Sequence, residues 1–423
     1  MTVLPSEINS TTAHYTIRIP GSAPVDLSKH ILIDKNHQEF DIFSNASGFH
    51  NHFVHHYLSA FAFGADMKLL QDIFDAWSSF QRPIPSPTTT LTRDTYRKEI
   101  CNRDAYTSYL NLFKDEIEKY GMIETVCYWI FKDEMLAQLF GGAYHPLIHL
   151  GYAIEFNLSK VAAEALAMMA CTTGYARPVL KHVTDKNEDG EELKEITNGN
   201  KTVMDIIQAI YSDTDFDDVV KYKDELKSIS VTNSPKAIEK LRDYASQWHY
   251  KDAESSLEEL FIYFILVLVT SGIREQGIKL DFFLAHAVTS IYSIYIIFPY
   301  LTPIQAELLL RTHFAQTLMF YVARGRPSLQ LDLLENYKSP QAVDNNKTPW
   351  LDVIQLALNA QEAHCIKVIR AIATAQTVYG NPSSFGNDIL LKAAQVTVDI
   401  TGKSRMASVA WNYDGIGFKE AWE

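Results

Sequence analysis

The sequence predicts an all-α protein: a large, multi-helix single domain with a short extended N-terminal arm. Three observations carry this expectation. Apolar residues recur at helical spacing from about residue 50 to about residue 400, strand-type alternation is scarce, and no Gly/Ser- or Pro-rich linker divides the chain. With 423 residues, 47% of them hydrophobic, the chain can bury a large core without disulfides or a structural metal.

Residues 1–44 read as the arm, because the strand-like run His14-Tyr15-Thr16-Ile17-Arg18-Ile19 is followed by the turn residues Pro20, Gly21 and Pro24. The helical body, 45–400, is expected to hold helices near 51–64, 67–78, 103–120, 122–139, 146–156 and 158–171, then near 202–212, 235–249, 257–271, 279–297, 303–322, 350–376 and 385–399. Two polar stretches, 184–201 and 325–349, read as solvated loops, the first separating halves of similar size. The tail, 401–423, carries Trp411, Tyr413, Gly415 and Gly417 and reads as an extended segment that packs back or closes over something.

Composition narrows the function. A formal net charge of −13 with no compensating basic run argues against nucleic acid as a partner. The cysteines Cys101, Cys127, Cys171 and Cys365 are dispersed and form no C-x-x-C pair, which fits a reducing, cytoplasmic setting. Met1–Ser10 lacks the basic and apolar regions of a secretory signal. The apolar stretch Leu260–Val269 is shorter than the ~20 residues that span a bilayer, so no membrane is expected. No dinucleotide-binding glycine motif, P-loop or nucleophile elbow is present.

Histidine placement is the most informative feature. Four of the fourteen histidines fall in His50-Asn-His52-Phe-Val-His55-His56. On a helix starting there, His52, His56, Ser59 and Phe63 share a face opposite Val54, Tyr57, Leu58, Phe61 and Ala65. No Lys, Arg, Asp or Glu occurs from 53 to 65, so that face is expected to be covered by protein and to line an internal pocket. In Tyr144-His145-Pro146-Leu-Ile-His149, Pro146 suits a first helical position, and His145 and His149 have a metal-ligand spacing without the zincin glutamate. His286 lies in an apolar run with Ser290 and Ser293 on its face, and His364 is adjacent to Lys367 on another helix. Taken singly, His286 and His313 read as hydrogen-bonded core residues and Lys367 as a snorkelling surface side chain. Taken together, several histidines on separate apolar helices favour a metal site.

The segments from Asn51-His52 to Gly64-Ala65, from Tyr144-His145 to Glu155, His286-Ala-Val-Thr289 and Glu362-Ala-His364-Cys-Ile-Lys367 resemble, in order and spacing, the signatures of the questin-oxidase-like family. The resemblance covers about 45–400. It implies an oxygenase that opens a ring of an anthraquinone-type aromatic polyketide in fungal secondary metabolism, with a Baeyer-Villiger or dioxygenase outcome and O2 as co-substrate. It also implies Fe(II) held by His52, His145, His286 and His364 and by Lys367 as a carboxylated lysine. His55 or His56 in place of His52, and His149 in place of His145, are the alternatives. NADPH is associated with oxidation of this type, although no site for it is recognisable. Tyr144, His149, His56 and His313 are the candidates for moving protons or binding a phenolate. The competing readings are a zinc-dependent hydrolase using the same histidines and a non-catalytic helical binding protein.

Overall fold

Asp66, Thr202, Ser234, Asp252, Asp281 and Thr302 each accept a backbone N–H from the turn that follows, and each starts a helix where an apolar periodic run begins. The structure, a computed structural model, describes residues 16–21, 31–45, 47–184, 198–341, 348–360, 362–404 and 406–423. Among them the chain forms α1 (Ile31–Glu39), α2 (Phe53–Ala62), α3 (Met67–Ser78), α4 (Tyr106–Tyr120), α5 (Met122–Ile130), α6 (Met135–Leu139), α7 (Gly141–Glu155), α8 (Ser159–Cys171), α9 (Arg177–Thr184) and α10 (Val203–Ser212). It continues with α11 (Lys227–Thr232), α12 (Pro235–Ser246), α13 (Ala253–Thr270), α14 (Phe282–Ile297), α15 (Pro303–Ala323), α16 (Leu331–Glu335), α17 (Pro349–Asn359), α18 (Ala363–Tyr379), α19 (Ile389–Thr401) and α20 (Ala407–Ala410). One hairpin, Ile273–Arg274 with Gly277–Ile278, is the sheet content. The protein is mainly helical and one hydrophobic core runs through it.

Helix α14 is buried all round apart from half-buried Phe283, which marks it as the central helix. Residues Phe282–Tyr300 are long and apolar enough to cross a membrane, yet 83% of that window is buried inside the fold. On one side α14 packs against α7, and α7 packs against α8; on the other it packs against α13, α15 and α18. The α7–α14 approach is close because Gly151 faces Ser293: a Cβ at Gly151 would lie 2.5 Å from the Ser293 side chain. Helix α2 touches α3, α7 and α18, so α2, α7, α14 and α18 surround one volume.

Several boundaries differ from expectation for identifiable reasons. The segment read as an arm contains α1, whose inner face includes Asn36 and His37, held by hydrogen bonds to Asn51 and Glu164, so apolar periodicity misses it. Residues 16–21 form no helix or strand, and Ile19 N–H bonds to the Ala62 carbonyl at the end of α2. Residues 1–15 and 22–30 of the arm lie outside the described residues, as do 185–197 of the first expected polar loop and 342–347 of the second. The single helix expected over 122–139 breaks at Asp133, which has φ +52° and accepts hydrogen bonds from Tyr96 and Arg97. The helix expected over 350–376 is two, because the Glu362 carboxylate accepts the N–H groups of His364 and Cys365 and caps a new start. The 325–349 stretch contains α16, with Leu334 fully buried. The tail does pack back, with a short helix, α20, at its start.

Candidate metal centre

Each of the four enclosing helices contributes one histidine from near its N-terminal end. His52 is the N-cap of α2, and His364 is the second residue of α18. His286 lies one turn into α14. His145 follows three consecutive left-handed residues, Gly142, Ala143 and Tyr144, which kink α7 so that its regular part begins at His145. That kink returns the Gly142 carbonyl to the His145 ring, and a Cβ on Gly142 would sit 2.6 Å from the His50 ring. Helix N-termini carry partial positive charge, which disfavours protonated imidazole and suits anionic groups bound at the centre.

The hydrogen bonds of these four rings decide which nitrogen is free. His52 Nδ1 donates to the His50 carbonyl (2.7 Å), His145 Nδ1 to the Gly142 carbonyl (2.5 Å), His286 Nδ1 to the Phe282 carbonyl (2.7 Å) and His364 Nδ1 to the Glu362 carboxylate (2.5 Å). Burial first, then the positive charge of neighbouring groups, pushes all four well below the usual histidine range, so each ring is neutral. A neutral ring with its proton on Nδ1 has a bare lone pair on Nε2. The Nε2 atoms of His286 and His364 are buried without a partner, and those of His52 and His145 face each other across 2.9 Å. With both protons elsewhere, that approach is two lone pairs rather than a hydrogen bond. One ligand atom from each ring lies within 4.8 Å of the others, the arrangement a metal cation would satisfy. Backbone carbonyls and a carboxylate on the outer nitrogens are the usual orienting partners of metal-bound histidine.

Lys367, three residues beyond His364, is buried, and its Nζ has no partner. Burial pushes this amine down to about 7. A surface, snorkelling position is therefore excluded. The Glu362 carboxylate that orients His364 is itself held by Trp411 Nε1 from the tail (2.8 Å). Tyr413 stacks on Phe282 at 4.1 Å, and Phe282 lies against both His286 and His364.

The remaining candidates take other places. His149, four residues from His145, does not join the four: it sits between His55 (3.0 Å) and the buried Glu164 carboxylate (2.8 Å), which also holds His37 (2.7 Å). His56 accepts from Trp77 Nε1 at 3.2 Å. Tyr144 bonds to Thr317 (2.8 Å) and stacks on His313, whose Nε2 meets Ser290 (2.7 Å). None of Tyr144, His56, His149 and His313 lines the cavity that reaches the centre. That cavity, about 720 Å³, runs from His52 and His145 past Phe282, Phe283, Met319, Phe320 and Tyr413 to a mouth at Phe49, Tyr175 and Leu226. His50, stacked on His145 at 4.2 Å, also lines it. Sequence reasoning misses Glu362, Trp411, Glu164 and His37, because each acts through a partner distant in the chain or, for Glu362, through a cap inside an expected helix.

A model of the questin oxidase-like family matches residues 49–372, which include all four histidines and Lys367. The chain belongs to this family. Its curated relatives include a questin oxidase of Aspergillus terreus, 27% identical over 94% of this chain and 92% of the relative. They also include a Baeyer-Villiger oxidase of Pestalotiopsis fici, 26% identical over 88% and 87%, and a Baeyer-Villiger monooxygenase of a Cryptosporiopsis species, 26% identical over 96% and 94%. This questin oxidase-like protein is accordingly an enzyme and an oxidoreductase.

Proposed function

We propose that the enzyme is an iron-dependent oxygenase that opens a ring of an anthraquinone-type polyketide in the cytoplasm of a fungus, with iron(II) held by His52, His145, His286 and His364 and by a carboxylated Lys367. The observation that carries this reading is the convergence of four bare Nε2 atoms whose protons are all committed to outward partners. Imidazoles with a carboxylate suit iron(II), whereas zinc has no redox chemistry to offer an oxidoreductase family. A buried amine with no partner, pushed down to about 7, supplies the neutral nitrogen that carbon dioxide requires. When bound, the metal would supply the activation of dioxygen, which the protein's own side chains cannot.

The chain's residues bind, orient and exclude water. The cavity is walled by Phe282, Phe283, Phe320 and Met319, flat and polarisable surfaces for a fused aromatic, and Tyr413 from the tail completes that wall. His50, buried on the wall with an unpartnered Nε2, is a hydrogen-bond partner for a substrate hydroxyl. The dispersed free cysteines accord with a reducing compartment.

The test begins with elemental analysis of the purified protein, then reconstitution with iron(II) and bicarbonate, then oxygen uptake with hydroxyanthraquinones, with and without NADPH. Iron at about one per chain and substrate-dependent oxygen uptake are expected. Substrate turnover with zinc alone and without oxygen uptake would replace this reading with a hydrolase, and failure to retain any metal after reconstitution would remove it. A requirement for NADPH selects the monooxygenase outcome over the dioxygenase one.

A further inference from the structure

The cavity that reaches the histidine cluster changes character along its length. Its inner wall is formed by Phe282, Phe283, Met319 and Phe320, whereas its mouth is built largely from 222–229, the turn that leads into α11. Six residues with charged side chains line it: Lys223, Asp224, Glu225, Lys227, Arg324 and Asp414. Burial separates them. Lys223, Glu225 and Asp414 are exposed, so water and salt screen their charges. Half-buried Asp224 turns its carboxylate back to the Lys221 N–H (3.0 Å) and the Ser230 hydroxyl (2.7 Å). The two that are buried, Lys227 and Arg324, are both cations.

Arg324 is compensated and Lys227 is not. The Arg324 guanidinium pairs with the buried Asp281 carboxylate (2.9 Å) and donates to the Tyr413 carbonyl. The Lys227 ammonium donates only to neutral carbonyls, those of Tyr222 (2.6 Å) and Asp224 (2.8 Å), and lies 5.5 Å from the Tyr222 ring and 5.8 Å from the Phe418 ring. Among the described residues no carboxylate pairs with it, and one of its three N–H groups has no acceptor. Burial, then the Arg324 charge beside it, pushes this amine below its ordinary value. A buried cation whose hydrogen-bond partners are all neutral is costly to keep charged, and an anion entering the cavity relieves that cost.

We propose that Lys227 is a specificity-determining residue: its ammonium binds an anionic oxygen, a carboxylate or an ionised phenol, on the end of the substrate at the cavity mouth, while the ring to be opened lies against Phe282 and the histidines. The inference deepens the proposed function and rests on it for the anthraquinone scaffold, whereas the charge recognition is independent of the metal.

The experiment titrates the full-length, metal-free protein at neutral pH with three anthraquinones that differ only in one substituent, a carboxylate, a hydroxyl or a methyl group at the same ring position. The carboxylate is expected to bind about 10- to 100-fold more tightly than the methyl compound. Lys227→Met should remove that preference and leave the affinity for the methyl compound in place, and Lys227→Arg should keep the preference. A red shift in the absorption of the bound hydroxyl compound, lost in Lys227→Met, identifies an ionised phenol as a ligand of this residue; a carboxylate preference without that shift restricts it to carboxylates. Equal affinities for all three compounds with no red shift overturn the proposal, as does a preference that survives Lys227→Met. If Lys227→Met does not fold, Lys227→Gln, whose amide N–H groups replace the bonds to the carbonyls without the charge, decides in its place. If none of the three compounds binds, the anthraquinone scaffold of the proposed function fails. The same comparison with naphthalene carboxylate and methylnaphthalene then decides the role of Lys227, and equal behaviour of wild type and variant overturns it.

Discussion

Helices α2 and α7 each give a histidine to two different buried sets, and the sets differ in what the second ring nitrogen meets. His52 and His145 point their Nε2 atoms inward at nothing but other lone pairs. His55 and His149, one turn further along the same helices, join a chain that ends on the Glu164 carboxylate. The first set leaves its inward ring nitrogens without a donor among the described residues. The second is closed but for one nitrogen. Spacing on a helix therefore identifies neither set; the partner of the outward nitrogen does.

The comparison breaks most visibly at the first set. His286→Ala or His364→Ala should abolish stable iron binding, read by elemental analysis after gel filtration, with the melting temperature of the metal-free protein little changed. Retention of a full complement of iron by either variant would sink the ligand assignment.

The next largest effect belongs to the second set and appears in stability. Glu164→Gln turns one of the two carboxylate oxygens into an amide donor, so one of His37 and His149 loses its acceptor inside the core, which should cost about 1–3 kcal/mol of folding free energy in urea titrations, while iron binding stays within a few-fold of the original. Because the Glu164 carboxyl is held at about 2 in the fold, against an ordinary value of 4.5, its stabilisation is fully present above about 4.5 and is lost as pH falls toward 2. The variant should lack that part of the acid dependence. An unaltered acid transition would mean that the carboxylate is not ionised in the fold.

A subtler test asks whether the outward partners matter to the first set at all. Glu362→Gln keeps the shape but weakens the hydrogen bond to His364 Nδ1, and iron affinity should fall about 10- to 100-fold. The smallest effect is expected for Trp411→Phe, which removes only the indole donor to Glu362: about 1 kcal/mol in stability and a modest loss of iron affinity.

The sequence made much of the first set legible and little of the second. His52, His145, His286 and His364 lie in runs where charged residues are sparse, and apolar periodicity placed each run on its own helix. The Glu164 chain was hidden for the same reason α1 was. Asn36 and His37 bury polar atoms through partners far off in the chain, and such pairing leaves no periodic trace. Helix breaks inside apolar runs were also illegible: a glutamate cap at Glu362 and a left-handed Asp133 both interrupt patterns that otherwise continue. The metal-ligand spacing of His145 and His149 was real, but a carboxylate supplied by α8 claims the second member.

The tail has a consequence for how the enzyme is made. Trp411 fixes the carboxylate that orients His364, Asn412 exchanges backbone hydrogen bonds with Leu280 and Phe282 at the start of α14, and Tyr413 covers Phe282. These residues are translated after all four histidines and the lysine. Until the chain beyond residue 410 is free of the ribosome, the side of the histidine cluster that Trp411 and Tyr413 cover cannot close. For the proposed iron centre, loading is thus expected to follow translation rather than accompany it, and a chain truncated before Trp411 should hold metal poorly.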